Sequence, residues 1–172
     1  MHKSCLLILF SIVLIFSCDS PAPSYHDITL SQIDVRLSVD VSATGTLTVE
    51  LRDAAGTAPA LWSTTVDVST LNPGAGSQWY SFSVNPGVDL TGGETYRIYM
   101  TRSTLVDSIS WRSCSAGDDE YPYGISSGAA GVDFLFRVYD NGVVDQSQEV
   151  YGYGYAIYDT SYQWQEFIAG RE

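Results

Sequence analysis

The sequence predicts an all-β fold, an antiparallel, jelly-roll-like β-sandwich, and three observations carry that reading. Apolar residues alternate with polar ones at period two through most of the chain after residue 27. Gly, Pro, Asn and Asp clusters interrupt these runs about every ten residues, the spacing of short strands in a sandwich. No stretch beyond the first 17 residues repeats with helical periodicity. With one face apolar and the other rich in Thr, Ser, Asp and Arg, each strand suits a sheet wetted on one side only.

The strands follow in order. In ITLSQIDVRLSVDV, Ile33, Val35, Leu37, Val39 and Val41 alternate with Asp34, Arg36, Ser38 and Asp40. Ser42-Ala43-Thr44-Gly45 is a turn, after which TLTVELRD places Leu47, Val49 and Leu51 inward. LWSTTVDVS is the third strand, and QWYSFSV puts Tyr80, Phe82 and Val84 on one face. NPGVDLTGG reads as the next turn, on its proline and glycines. ETYRIYMTR turns Tyr96, Ile98 and Met100 inward, and LVDSISWRS follows. A polar loop, SAGDDEYPYGISSGAAG, precedes VDFLFRVYD, in which Val132, Phe134, Phe136 and Val138 share a side. Asp140-Asn141-Gly142 is a hairpin turn signal. The tail carries tyrosines at 151, 153, 155, 158 and 162 and ends in YQWQEFIAGRE.

The N-terminus has a different character. Lys3 precedes an apolar run of 11 residues, Leu6 to Phe16, too short to span a bilayer but suited to a signal-peptide core. The run closes on Ile15-Phe16-Ser17-Cys18, which resembles a bacterial lipobox. That resemblance implies cleavage before Cys18 and acylation of its sulfur and new amino group. Residues 1–17 are therefore expected to be a lipoprotein signal peptide, 18–27 a Ser/Pro-rich tether, and 28–170 a single β-sandwich domain. Several acyl chains together make a stable anchor where one is marginal. The expected location is the bacterial cell envelope, lipid-anchored at the outer membrane or cell surface.

Composition removes several function classes. Eight Lys and Arg stand against 20 Asp and Glu, for a net charge of −12, and the sole lysine is Lys3. No cluster of positive charge exists to release counterions from phosphates, so nucleic acid is not an expected partner. Cys5 leaves with the leader and Cys18 is lipidated, so Cys114 stands alone and forms no intramolecular disulfide. The only histidines are His2 and His26, and no nucleophile elbow, phosphate loop or dinucleotide fingerprint occurs. A non-enzymatic role is expected.

Two groups of residues are candidates for a site. Trp111, Tyr121 and Tyr123 border the polar loop, where aromatic rings can stack on sugar faces while neighbouring polar groups bond the hydroxyls. Trp79, at a strand start, is a further candidate of this kind, whereas Trp62, Phe82, Phe134 and Phe136 are read as core. Asp118, Asp119 and Glu120 are candidate Ca²⁺ ligands, with Asp53 and Asp133 as distant contributors. A solvated acidic loop is the competing reading, because three consecutive acids cannot all point inward.

From Ile28 to Tyr139 the chain resembles a family of bacterial extracellular jelly-roll, carbohydrate-binding-like modules, often found in tandem. The likeness runs through ITLSQIDVRLSV, GTLTVELRD, WSTTVDVSTLNPGAGSQWYSFSV, VDLTGGETYRIYM and DFLFRVYD. In such modules an opening strand with an aromatic, a glutamine and a phenylalanine precedes the ITLSQ-like segment. Here that element is missing at the front, while Trp164, Gln165 and Phe167 of the tail match it. The tail (149–170) is expected to fold back and supply the missing strand. The other readings are a truncated second repeat and donation of the strand to a neighbouring molecule.

Together these readings imply a membrane-anchored surface lipoprotein carrying a non-catalytic binding module, with glycan the leading ligand class. The rival is a structural or adhesion protein that contacts another surface protein through its sheet edges, or a remnant of a tandem-repeat protein.

Overall fold

A computed structural model describes residues 24–56, 58–103, 109–113, 133–147, 154–156 and 163–170. These form ten strands in two antiparallel sheets, the arrangement of a β-sandwich. In chain order they are β1 (Ile28–Val39), β2 (Thr46–Asp53), β3 (Trp62–Asp67), β4 (Ser77–Leu90) and β5 (Thr95–Arg102). β6 (Ile109–Arg112), β7 (Phe136–Asp140), β8 (Val143–Ser147), β9 (Gly154–Ala156) and β10 (Gln163–Ile168) complete the set. The only helical piece among the described residues is a 3-10 turn, Val68–Thr70, where the Asp67 carboxylate accepts from Ser69 N. No helix among them is long and apolar enough to cross a membrane.

β1 is the hub of the six-stranded sheet. One edge pairs with β4 over nearly its whole length; the other takes β7 opposite Leu30–Val35 and then β6 opposite Leu37–Val39. β8 extends the sheet beyond β7, and β9 beyond β6. The second sheet has the order β10-β5-β2-β3. Period-two patterning explains the layering: Ile33, Val35 and Leu37 of β1 are buried together with Leu47, Val49 and Leu51 of β2 and with Ile98 and Met100 of β5. The core joins the two sheets directly, with the Phe136 and Phe167 ring centroids 6.1 Å apart.

One expected turn is not a turn. Asn85-Pro86-Gly87 lies within β4, which runs on to Leu90 beside Ile28. Proline is admissible there because the register jumps: Ser83 faces Gln32 and Val88 faces Leu30, so Pro86 sits in a bulge opposite Ser31 and holds no ladder position. A register shift at Leu30/Gln32 lets the long pair bend, and the chain reverses at 91–94 instead. The Asp140-Asn141-Gly142 turn is observed as expected, with Asn141 and Gly142 at φ 46° and 87°, as a type I′ hairpin needs.

The tail folds back. β10 pairs antiparallel with β5 from Gln163 opposite Met100 to Ile168 opposite Thr95. Phe167 enters the core, and Gln165, fully buried, reaches across to the other sheet. Its Oε1 accepts from Phe134 N at 2.7 Å and its Nε2 donates to Asp133 Oδ1 at 3.0 Å.

The registers also define two ends. At one end the tether meets β1, β4 finishes, β5 begins, β10 finishes and the β7–β8 hairpin turns. Here His26 N donates to Gly170 O at 2.9 Å and Gly92 N to Asp27 Oδ1 at 2.9 Å, so the two ends of the domain are stitched together. Gly170 has φ 61°, and a methyl group on it would fall 1.6 Å from the His26 carbonyl oxygen, which leaves glycine as the residue that fits. The 40–45 and 71–76 segments lie at the opposite end, where Gly74 N donates to Val39 O at 2.9 Å.

Candidate functional site

Trp111 is not a surface platform. The expectation placed it beside the polar loop, but it follows Ile109 at period two, pairs with Leu37 and shares that residue's inward face. Its side chain is fully buried, stacked on Phe134 with centroids 4.6 Å apart, and its Nε1 donates to Leu135 O at 2.9 Å. Burial of ring and N–H together leaves nothing for a ligand. Tyr121 and Tyr123, the acidic run Asp118, Asp119 and Glu120, and Cys18 lie outside the described residues.

Asp133 is buried and engaged with Gln165, and Asp53 is exposed at the end of β2. No group of three or more His, Cys, Asp or Glu among the described residues is placed to hold a metal ion. Trp62 packs on the core, and Phe82, Phe134 and Phe136 are buried within it.

Trp79 stands apart from these. It lies on the outward face of the six-stranded sheet, where the registers align three rows across β4, β1 and β7. Trp79 neighbours Arg36, Ser81 neighbours Asp34 and then Arg137, and Ser83 neighbours Gln32 and then Tyr139. The Arg137 guanidinium reaches diagonally over β1 and lies 4.2 Å from the Trp79 ring centroid.

Asp34, only 4% exposed, accepts from Tyr139 Oη at 2.7 Å and from Gln32 Nε2 at 2.7 Å. Arg36 Nε donates to Ser77 Oγ at 3.1 Å. Burial, and then the hydrogen bond to Asp34, push the Tyr139 phenol above its ordinary range, while nearby Arg137 opposes the shift. Tyr139 is thus a fixed neutral donor that orients the Asp34 carboxylate.

This face combines a half-buried indole, a phenol, two guanidinium groups, a carboxamide and the exposed Ser81 and Ser83. The Trp79 indole N–H has no acceptor among the described residues. Rings on a polar, nearly flat sheet can stack against a ligand and hydrogen-bond its edges. Among the described residues this face carries no thiol and no imidazole.

The outward face of the four-stranded sheet is built differently. Arg97 lies 4.4 Å from the Trp164 ring centroid and bonds Glu166 through Nε at 2.8 Å and Nη2 at 2.7 Å. Arg52 lies 4.6 Å from the Tyr99 ring centroid, bonds Glu50 Oε2 at 2.6 Å and donates to Gly56 O at 3.0 Å. Burial alone would lower the Arg97 pKa; hydrogen bonds and charge from Tyr99 and Glu166 outweigh it and raise it instead. Each of these cations already has a ring and a carboxylate.

Sequence reasoning found Trp79 and the wet alternation of β1 but missed Tyr139 and Arg137 as its neighbours. They join Asp34 only through a strand more than a hundred residues later, a proximity that no local pattern reveals. The chain matches no protein-family model, no curated protein and no solved structure.

Proposed function

We propose that this chain is a membrane-anchored bacterial surface lipoprotein carrying a non-catalytic binding module, with glycan as its ligand class. The reading takes the sandwich as a jelly roll of the extracellular carbohydrate-binding-like kind, lipidated at Cys18 and held in the cell envelope. One observation carries it: Trp79 and Tyr139 sit on a sheet face with Asp34, Gln32, Arg36 and Arg137, a mixture of rings and hydrogen-bonding groups suited to sugars. The contact surface is accordingly shifted from Trp111 to this face.

A glycan array probed with the full chain, wild type against Trp79→Ala, tests the reading. Binding to a defined glycan set, reduced about tenfold or more by the substitution, is the expected result. Binding to no glycan would reject it in favour of an adhesion role toward another surface protein. That second reading has its own support, because β4 offers a 14-residue edge with no strand partner among the described residues.

A further inference from the structure

Exposed large hydrophobic side chains are few among the described residues, and they are unevenly placed. Tyr25 (41% exposed), Leu61 (48%), Val143 (72%) and Val144 (48%) all belong to the end where the tether meets the sandwich. Only Val41 (77%) lies at the opposite end. Three separate segments contribute these side chains. Tyr25 packs against Gly93 in the turn between β4 and β5. Leu61 immediately precedes β3, its N–H donating to Leu51 O at 2.8 Å. Val143 and Val144 follow the hairpin turn that Thr29 holds, through Asn141 N to Thr29 O at 3.1 Å and Thr29 N to Asp140 Oδ1 at 2.9 Å.

We infer that this end is a membrane-apposed rim, in which Tyr25, Leu61, Val143 and Val144 rest in the interfacial layer of the bilayer that holds the anchor. The inference rests on the lipidation of Cys18. From Cys18 to Ser24 is six residue steps, a reach of at most about 20 Å when fully extended. A tether that short keeps this end of the domain next to the lipid, where a tyrosine and small aliphatic side chains are the residues that settle at the headgroup boundary.

Charge attraction is not the source of contact. The acids at this end include Asp27, Asp53, Asp89, Glu94 and Asp140. Asp27 bonds Gly92 N, while Asp89 and Asp140 bond Thr29. Contact is therefore expected on zwitterionic lipid and weakened by anionic lipid. The rim fixes how the module stands on the surface, with the strands rising from the membrane and the Trp79 face directed sideways.

Hydrogen exchange on the full chain in phosphatidylcholine vesicles, wild type against a Val143→Asp/Val144→Asp double variant, tests the rim. The unmutated amides of Ala58, Ala60 and Leu61 are expected to exchange about threefold or more slower in the wild type, with residues 41–45 exchanging alike in both. Equal exchange at Ala58, Ala60 and Leu61 in the two proteins would overturn the rim, and it is the outcome if these side chains instead await a protein partner. Intact mass of the same samples reports acylation of Cys18 separately. An unacylated chain removes the anchor reading, and the exchange comparison, made on that chain mixed with vesicles, still decides the rim either way.

Discussion

The two outward faces of this sandwich use the same residue types to opposite ends. On the four-stranded sheet, Arg97 and Arg52 are each clamped between an aromatic ring and a carboxylate, and Tyr99 is only 7% exposed although its strand position points outward. On the six-stranded sheet, Asp34 is satisfied from both sides while the Trp79 indole N–H has no acceptor among the described residues. A guanidinium stacked on a ring therefore does not by itself mark a binding surface. What marks the four-stranded sheet's face as closed is a carboxylate for each stacked guanidinium: Glu166 of β10 serves Arg97, and Glu50 of β2 serves Arg52.

The largest expected effect removes the link that holds β10 in place. Gln165→Leu deprives Phe134 N–H of its acceptor and Asp133 of a donor inside the core. Losing both buried bonds is expected to cost about 3 kcal/mol, read as a lowered urea midpoint. A stability equal to wild type would mean that β10 closes the sheet by its apolar contacts alone.

Next is the closed face itself. Arg97→Met strips Glu166 and Trp164 of their cation, and with the Arg97 and Glu166 side chains 20% and 13% exposed the expected loss is about 1–2 kcal/mol. Glycan binding should be unchanged, and a binding defect would break the contrast between the faces.

Tyr139→Phe is expected to cost about 1–2 kcal/mol by leaving a largely buried carboxylate short of a donor. It also carries a pH signature. The folded pKa of Tyr139 is raised, so its contribution is complete below the ordinary tyrosine value near 10 and drains away as pH rises through the higher folded value. Denaturation midpoints between pH 8 and 11 should therefore fall less steeply in the variant than in the wild type.

Trp79→Ala should change stability by less than about 1 kcal/mol, since the ring is on the surface, yet it should produce the largest binding defect of the series. The smallest effect is at acid pH. Hydrogen bonds from Ser69 hold the Asp67 carboxyl below its ordinary value, so its cap on the 3-10 turn is present above about pH 4 and is lost as pH falls through the lower folded value. Asp67→Asn should flatten that acid limb in a thermal-melt series.

Much of this architecture is legible in the sequence because strand faces follow a local rule. The alternations from Ile33 to Val39, Leu47 to Leu51 and Tyr96 to Met100 assign inside and outside correctly, and WQEF identifies a strand that belongs to the domain. Failures occur where a local cue competes with a distant one. Asn85-Pro86-Gly87 carries every sign of a turn, yet a bulge opposite Ser31 accommodates it within β4. Trp111 looks like a loop aromatic until its alternation with Ile109 is set against the register with Leu37. The candidate face is the least legible of all, because it needs β4, β1 and β7 side by side before Trp79, Asp34 and Tyr139 become neighbours.

The central position of β1 has a consequence for how the molecule is made. β1 precedes every strand that pairs with it, and the bond from Tyr139 to Asp34 spans 105 residues. The Gly170 contact to His26 closes nearly the whole chain into one loop. Such long-range closure makes folding slow and leaves little stable structure in a partly synthesised chain. A polypeptide with this wiring keeps the edge of β5 open until β10 is available to close it.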